Sequence, residues 1–166
     1  MLTLGELVRR HAKTNPDGDA YVERTRRVTW AQFHRRTDML GHALRAKGIG
    51  SGDRVGIVSG DCIEVAETFI ACAKIGAIRV GISGRLAPRE IAHLIDDAGL
   101  TLLFVQGQYE ASMAEALLQT TTKPVLISIG STVRLESAVQ YETLMSGTES
   151  AGPLDPSPGD RLMIAY

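Results

Sequence analysis

Cysteine, aromatic side chains and any excess of one charge are all scarce in this 166-residue chain. The two cysteines, Cys62 and Cys72, sit ten positions apart on what reads as one helix. That is too far along its axis for a disulfide, and the spacing is no metal motif. They read as small buried apolar residues, and the compartment as cytoplasmic. Eighteen Lys and Arg against nineteen Asp and Glu leave a formal charge of −1, without the basic excess a nucleic-acid binder carries on one face. No apolar run approaches the roughly 18 residues of a membrane span, so peripheral contact is the membrane association left open. Met1 to Leu7 has no positive segment, apolar stretch or small-residue cleavage site, which excludes a signal peptide. The sole asparagine, Asn15, precedes Pro16, so there is no glycosylation sequon.

What is present is a globular composition, 44% hydrophobic and 22% charged, enough for one α/β domain or one lobe of something larger. Residues 1–50 read as a helix (Leu4, Leu7, Val8, His11) stopped at Asn15-Pro16-Asp17-Gly18, a small hairpin around Arg24–Arg27, and a long amphipathic helix. In that helix Trp30, Phe33, Thr37, Leu40 and Leu44 step by threes and fours. Residues 51–145 read as βα repeats. Strands are expected near 54–59, 77–82, 101–105 and 125–129, and helices over 62–75, 88–98 and 109–119, with a short helix at 139–145. The helix over 62–75 is apolar almost all round, with charges only at Glu64, Glu67 and Lys74, and so belongs between layers. Residues 146–160, rich in Ser, Gly and Pro, read as a linker loop, and 161–166 as a further strand. The fold class is α/β: a doubly wound, mostly parallel sheet with helices on both faces.

Little in this pattern assembles chemistry. Gly48-Ile49-Gly50-Ser51-Gly52 precedes a strand, so it reads as a helix stop and a turn and not as a phosphate cradle. The turn Ser59-Gly60-Asp61, where a dinucleotide loop would sit, has one glycine and an acid. Asp61 is expected to cap the following helix, and an anionic cap competes with phosphate. His11, His34, His42 and His93 lie on three helices and do not converge on a metal. Asp96 and Asp97 point about 100° apart, which excludes an acid/base couple. No catalytic and no metal-binding residue is identified.

Three stretches nevertheless carry a resemblance. Val28-Thr29-Trp30-Ala31-Gln32-Phe33, the run from Gly52-Asp53-Arg54-Val55-Gly56-Ile57 to Phe69–Ala77, and Arg85-Leu86-Ala87-Pro88-Arg89-Glu90-Ile91 through Asp97-Ala98-Gly99 resemble, in order and spacing, the N-terminal portion of adenylate-forming enzymes. These are the acyl-CoA synthetases, peptide-synthetase adenylation domains and luciferases. The chain departs from the family where Gly60 and Asp61 replace Pro and Asn, and where Val80-Gly81-Ile82-Ser83-Gly84 replaces a proline-bearing segment. The lost prolines loosen the chain there. Asp160–Tyr166 resembles the strand that leads into the family's phosphate-binding loop.

The resemblance implies the N-terminal part of an acyl-CoA ligase that, when complete, uses ATP, Mg²⁺ and CoA to convert a carboxylic acid, foremost a fatty acid, to an acyl-adenylate and then a thioester. The 166 residues alone are expected to be inactive and to bind none of these tightly. The remainder of the same chain is their implied partner, and self-association is left open. Ser83, Gly84 and Arg85 are the implied CoA-proximal residues, Arg85 being able to pair a phosphate. A free-standing α/β interaction module and a relative that loads a carrier protein are the alternatives.

Overall fold

The computed structural model describes residues 2–130, 135–148, 152, 154, 159 and 161–166. Helix α1 (Leu4–Thr14) opens on a capping box: Thr3 accepts from the Glu6 N–H, and the Glu6 carboxylate accepts from the Thr3 N–H. An antiparallel hairpin follows, β1 (Asp19–Glu23) with β2 (Arg26–Thr29). Thr29 and Gln32 form a second capping box at the start of α2 (Trp30–Ala46). Next come β3 (Arg54–Val58), α3 (Ile63–Ile75), β4 (Ile78–Gly81), α4 (Pro88–Ala98) and β5 (Leu102–Gln106). A 3₁₀ turn over Gly107–Tyr109 leads into α5 (Glu110–Leu117), then β6 (Val125–Ile129), β7 (Val139–Gln140), α6 (Tyr141–Leu144) and β8 (Met163–Ala165).

The six strands from β3 onward form one parallel sheet in the order β7-β6-β5-β3-β4-β8. One face packs Leu40 and Leu44 of α2 and Ala71, Cys72 and Ile75 of α3 against Val55, Ile57, Phe104 and Ile127. The other packs Ile91 and Ile95 of α4 and Met113 and Ala116 of α5 against Val58, Val80, Leu103 and Val105. A parallel sheet covered on both sides needs strands apolar at successive positions, which is how β3 and β5 read. The doubly wound α/β class expected from the sequence is the one observed.

Two segments differ from expectation. The helix expected at 139–145 begins only at Tyr141, because Val139 and Gln140 pair with Ile127 and Ser128 as a sixth strand. A two-residue strand is too short for periodicity to reveal. Of the linker expected over 146–160, residues 149–151, 153, 155–158 and 160 lie outside the described residues. Within the rest, Leu154 is buried in the α2–α3 core, its carbonyl accepts from Arg9 at 3.1 Å, and the Gly152 carbonyl lies 2.6 Å from His42 Nε2.

Gly56, in the middle of β3, has no room for a side chain. A Cβ there would lie 2.4 Å from Leu100 Cδ1 and 2.8 Å from Leu103 Cδ1. Gly56→Ala is expected to destabilise the fold by about 1–3 kcal/mol through overpacking, read as a lowered urea midpoint with an unchanged slope.

Helix α3 lies between the sheet and the α1–α2 pair, and its three charged side chains, Glu64, Glu67 and Lys74, are all buried. Each is answered. Arg26 donates to Glu64 at 2.8 Å. Arg36 donates to Glu67 through Nε and a terminal nitrogen and reaches Glu142 as well, while the Tyr141 hydroxyl donates to Glu67 Oε2 at 2.9 Å. Lys74 Nζ donates to Thr37 Oγ1 and Asp38 Oδ1, each at 2.8 Å, and to the His34 carbonyl at 3.2 Å. Burial is the largest single influence on Glu64 and opposes its charge, but the Arg26 hydrogen bond, a backbone hydrogen bond and the Arg26 charge together outweigh it and hold the carboxyl below its usual range. Burial pushes the Tyr141 hydroxyl well up, with Glu67 beside it adding to the effect. It also pushes the Cys72 thiol up to about 12, which leaves that thiol inert. His34 is lowered by burial and by the Lys74 cation.

Candidate functional site at the carboxyl edge of the sheet

Because the sheet is parallel, the loops that leave β3, β4 and β5 emerge along one edge, the position where open α/β sheets take ligands. They are packed together. The Gly60 N–H donates to Gln106 Oε1 at 2.9 Å. Gly84 lies flat against the Tyr109 ring, where a Cβ would approach to 2.4 Å. Beside these loops runs a cleft of about 500 Å³, lined by Gly81, Ser83, Leu86, Arg89, Glu90, His93, Leu94 and Tyr166.

The residues singled out in the sequence are split by this geometry. Ser83 lines the cleft, and its hydroxyl lies 3.4 Å from the Arg85 N–H. Gly84 serves the Tyr109 contact, and the Arg85 side chain is exposed. Arg89, His93 and Tyr166 line the cleft and were not anticipated. The signal for two of them was present: Pro88 at the first helical position fixes the phase of α4, which sets Arg89 and His93, four apart, on one face. The Tyr166 hydroxyl donates to Asp97 Oδ2 at 2.7 Å, and this bond holds its pKa above the ordinary value.

Asp61 does not cap α3. The N-cap is Cys62, without a side-chain bond, and the Ile63 N–H donates instead to Glu23 Oε2 of the hairpin at 3.0 Å. The long Glu23 side chain reaches across from β1, a tertiary contact that local sequence does not display. The positive end of α3 is thus met by a carboxylate, as expected, although from a different residue. At α4 the Ala87 N–H donates to Glu90 at 2.8 Å. At both helix starts a backbone N–H is thus met by a carboxylate. Among the described residues, no group of three His, Cys, Asp or Glu side chains could hold a metal ion.

Asp96, near the end of α4, accepts the N–H groups of Thr121 and Thr122. These bonds bring its pKa down to about 2. A carboxyl lowered in the folded state adds stability at pH values above its ordinary pKa of about 4, and that contribution is lost as pH falls toward 2. A carboxyl-carbon NMR titration is expected to place its midpoint near 2, with no corresponding titration in Asp96→Asn.

The model of the AMP-binding enzyme family matches residues 8–166. The chain belongs to the AMP-binding enzymes. It is 28% identical to a 3-oxocholest-4-en-26-oate–CoA ligase of Rhodococcus rhodochrous, over 99% of this chain and 30% of that protein. It is 33% identical to a fatty acid–[acyl-carrier-protein] ligase of Streptomyces coeruleorubidus, over 64% of this chain and 21% of that protein. Among solved structures, an acetoacetyl-CoA synthetase from Streptomyces lividans superposes with a TM-score of 0.86 at 26% identity, over 99% of this chain and 28% of that one. A Mycobacterium tuberculosis fatty acyl CoA synthetase gives a TM-score of 0.79 at 25% identity, over 99% and 32%. The chain therefore spans less than a third of the length of these AMP-binding relatives. Among its described residues no helix is long and apolar enough to cross a membrane.

Proposed function

We propose that these residues form the N-terminal scaffold of an ATP-dependent acid–thiol ligase, one that activates a carboxylic acid as an acyl-adenylate and passes the acyl group to CoA. The observation that carries this reading is the family match over residues 8–166, with relatives that are acyl ligases. In this reading, binding of ATP and Mg²⁺ falls to segments of the complete ligase other than these residues. The role proposed for this chain is to hold the carboxyl edge of the sheet, and with it Ser83, Gly84 and Arg85, against the CoA nucleotide. Arg85 is exposed there, and its guanidinium is suited to a phosphate oxyanion.

Two measurements test this. The 166 residues alone, given ATP, Mg²⁺, CoA and a panel of fatty, aryl and short acids, should release no pyrophosphate; turnover would overturn the scaffold role. In the gene product that carries these residues and shows turnover, Arg85→Ala should raise KM for CoA about threefold to tenfold and leave KM for ATP unchanged. A second reading, transfer to a carrier protein, is favoured by the similarity to the Streptomyces coeruleorubidus carrier-protein ligase. Acylation of a phosphopantetheinyl carrier in place of CoA would select it.

A further inference from the structure

The seam between α2 and α3 is closed by a contact that depends on where one proton sits. Lys74 Nζ lies 3.0 Å from His34 Nδ1, 2.8 Å from Thr37 Oγ1, 2.8 Å from Asp38 Oδ1 and 3.2 Å from the His34 carbonyl. An ammonium has hydrogens to give and no lone pair. Its contact with Nδ1 is therefore a hydrogen bond only while that nitrogen is bare, which puts the ring proton on Nε2. The same Nδ1 lies 3.4 Å from Asp38 Oδ2. A proton added to Nδ1 turns the ring from acceptor to donor. It can then bond Asp38 but no longer accepts from Lys74, and two cations stand 3.0 Å apart on one shared carboxylate. Lys74 cannot relieve this by turning to water, because its side chain is fully buried. The His34 side chain is 20% exposed, so a proton reaches it from solvent. Arg9 and Lys13 of α1 face the ring as well and oppose a further cation, while Asp38 favours one.

We infer that His34 is an acid-sensitive latch: the neutral ring accepts from Lys74 and holds the α1–α2 pair on α3, and the protonated ring loosens that seam. Removing an acceptor from a buried cation and adding a second positive charge beside it both weaken the packed state. Burial, and after it the Lys74 cation, hold His34 below its ordinary value. A base lowered in the folded state adds stability that is fully present above its ordinary value, about 6.5, and is lost as pH falls from there toward the folded value. The unfolding constant should therefore rise by up to tenfold for each pH unit below about 6.5. That window lies above the one in which the lowered carboxyls Glu64 and Asp96 take up protons.

The test reads the imidazoles of the ¹⁵N-labelled chain by long-range ¹H–¹⁵N NMR, which reports protonation and tautomer together. The His34 ring is assigned through its backbone. Near neutral pH its proton should sit on Nε2, and its titration midpoint should fall below about 6.5. On lowering the pH by about one unit through that range, amide exchange corrected for its intrinsic rate should quicken more in α2 and α3 than in β5. Urea denaturation across the same range reads the stability. Glutamine offers Lys74 an oxygen and does not titrate, so His34→Gln should flatten the loss of stability between pH values of about 6.5 and 5. His34→Asn makes the same comparison if the glutamine variant does not fold, and the NMR midpoint and tautomer need neither variant. A ring proton on Nδ1 near neutral pH, a midpoint at or above about 6.5, an exchange increase no larger at the seam than in β5, or an unchanged stability profile in the folded variant overturns the inference.

Discussion

Lys74→Met is expected to destabilise the protein by about 3–5 kcal/mol, since removing one member of a buried ion pair strands the other. Lys74 is fully buried and Asp38 nearly so, at 0% and 8% exposure. Methionine fills much of the space but donates nothing, so the Asp38 carboxylate and the Thr37 hydroxyl lose the nitrogen they share. The decisive comparison is Lys74→Met with Asp38→Leu. If the loss comes from the stranded carboxylate, the double variant should regain most of the stability, because an apolar pair of similar volume replaces an ion pair at little net cost. Urea denaturation of the four proteins closes the cycle. Equal losses in the single and double variants would place the effect in packing instead.

Glu67→Leu should have a comparable effect, about 3–5 kcal/mol, for the opposite charge. Glu67 is fully buried and joins three elements: it accepts from Arg36 of α2 and from the Tyr141 hydroxyl of α6. Without it Arg36 keeps only Glu142, whose side chain is 53% exposed, and Tyr141 keeps a buried hydroxyl with no acceptor. Glu67→Gln retains one acceptor oxygen and the shape, so its loss should be about 1–3 kcal/mol. The ordering of leucine below glutamine in thermal denaturation checks the assignment, since a purely volumetric effect would not rank them so.

These networks show where the sequence was legible. Glu64, Glu67 and Lys74 interrupt an otherwise apolar helix, and from that pattern alone α3 reads as buried between layers. Their partners did not read out, because Arg26, Arg36, Asp38 and Tyr141 are brought in by the hairpin, α2 and α6, and local periodicity is blind to tertiary contacts. Helix α4 was legible to the residue: Pro88 suits the first turn, and Gly99 supplies the left-handed stop at φ 58°. The site was less so. Ser83, Gly84 and Arg85 came from resemblance, and the structure divides them between a cleft, an aromatic contact and solvent. Asp61 failed as a cap for the reason Arg26 went unseen as a partner: the hairpin folds back over the start of α3.

The strand order has a consequence for synthesis on the ribosome. Strand β3 emerges first yet lies inside the sheet, and β4 and β5 claim its two sides in turn. Growth through β6 and β7 then proceeds away from β4, whose outer side is closed only when Met163–Ala165 pair with Arg79–Gly81. A nascent chain thus holds an apolar strand with unpaired amides for the whole interval in which α4, β5, α5 and β6 are made, and during that time it is open to chaperones and to neighbouring chains alike.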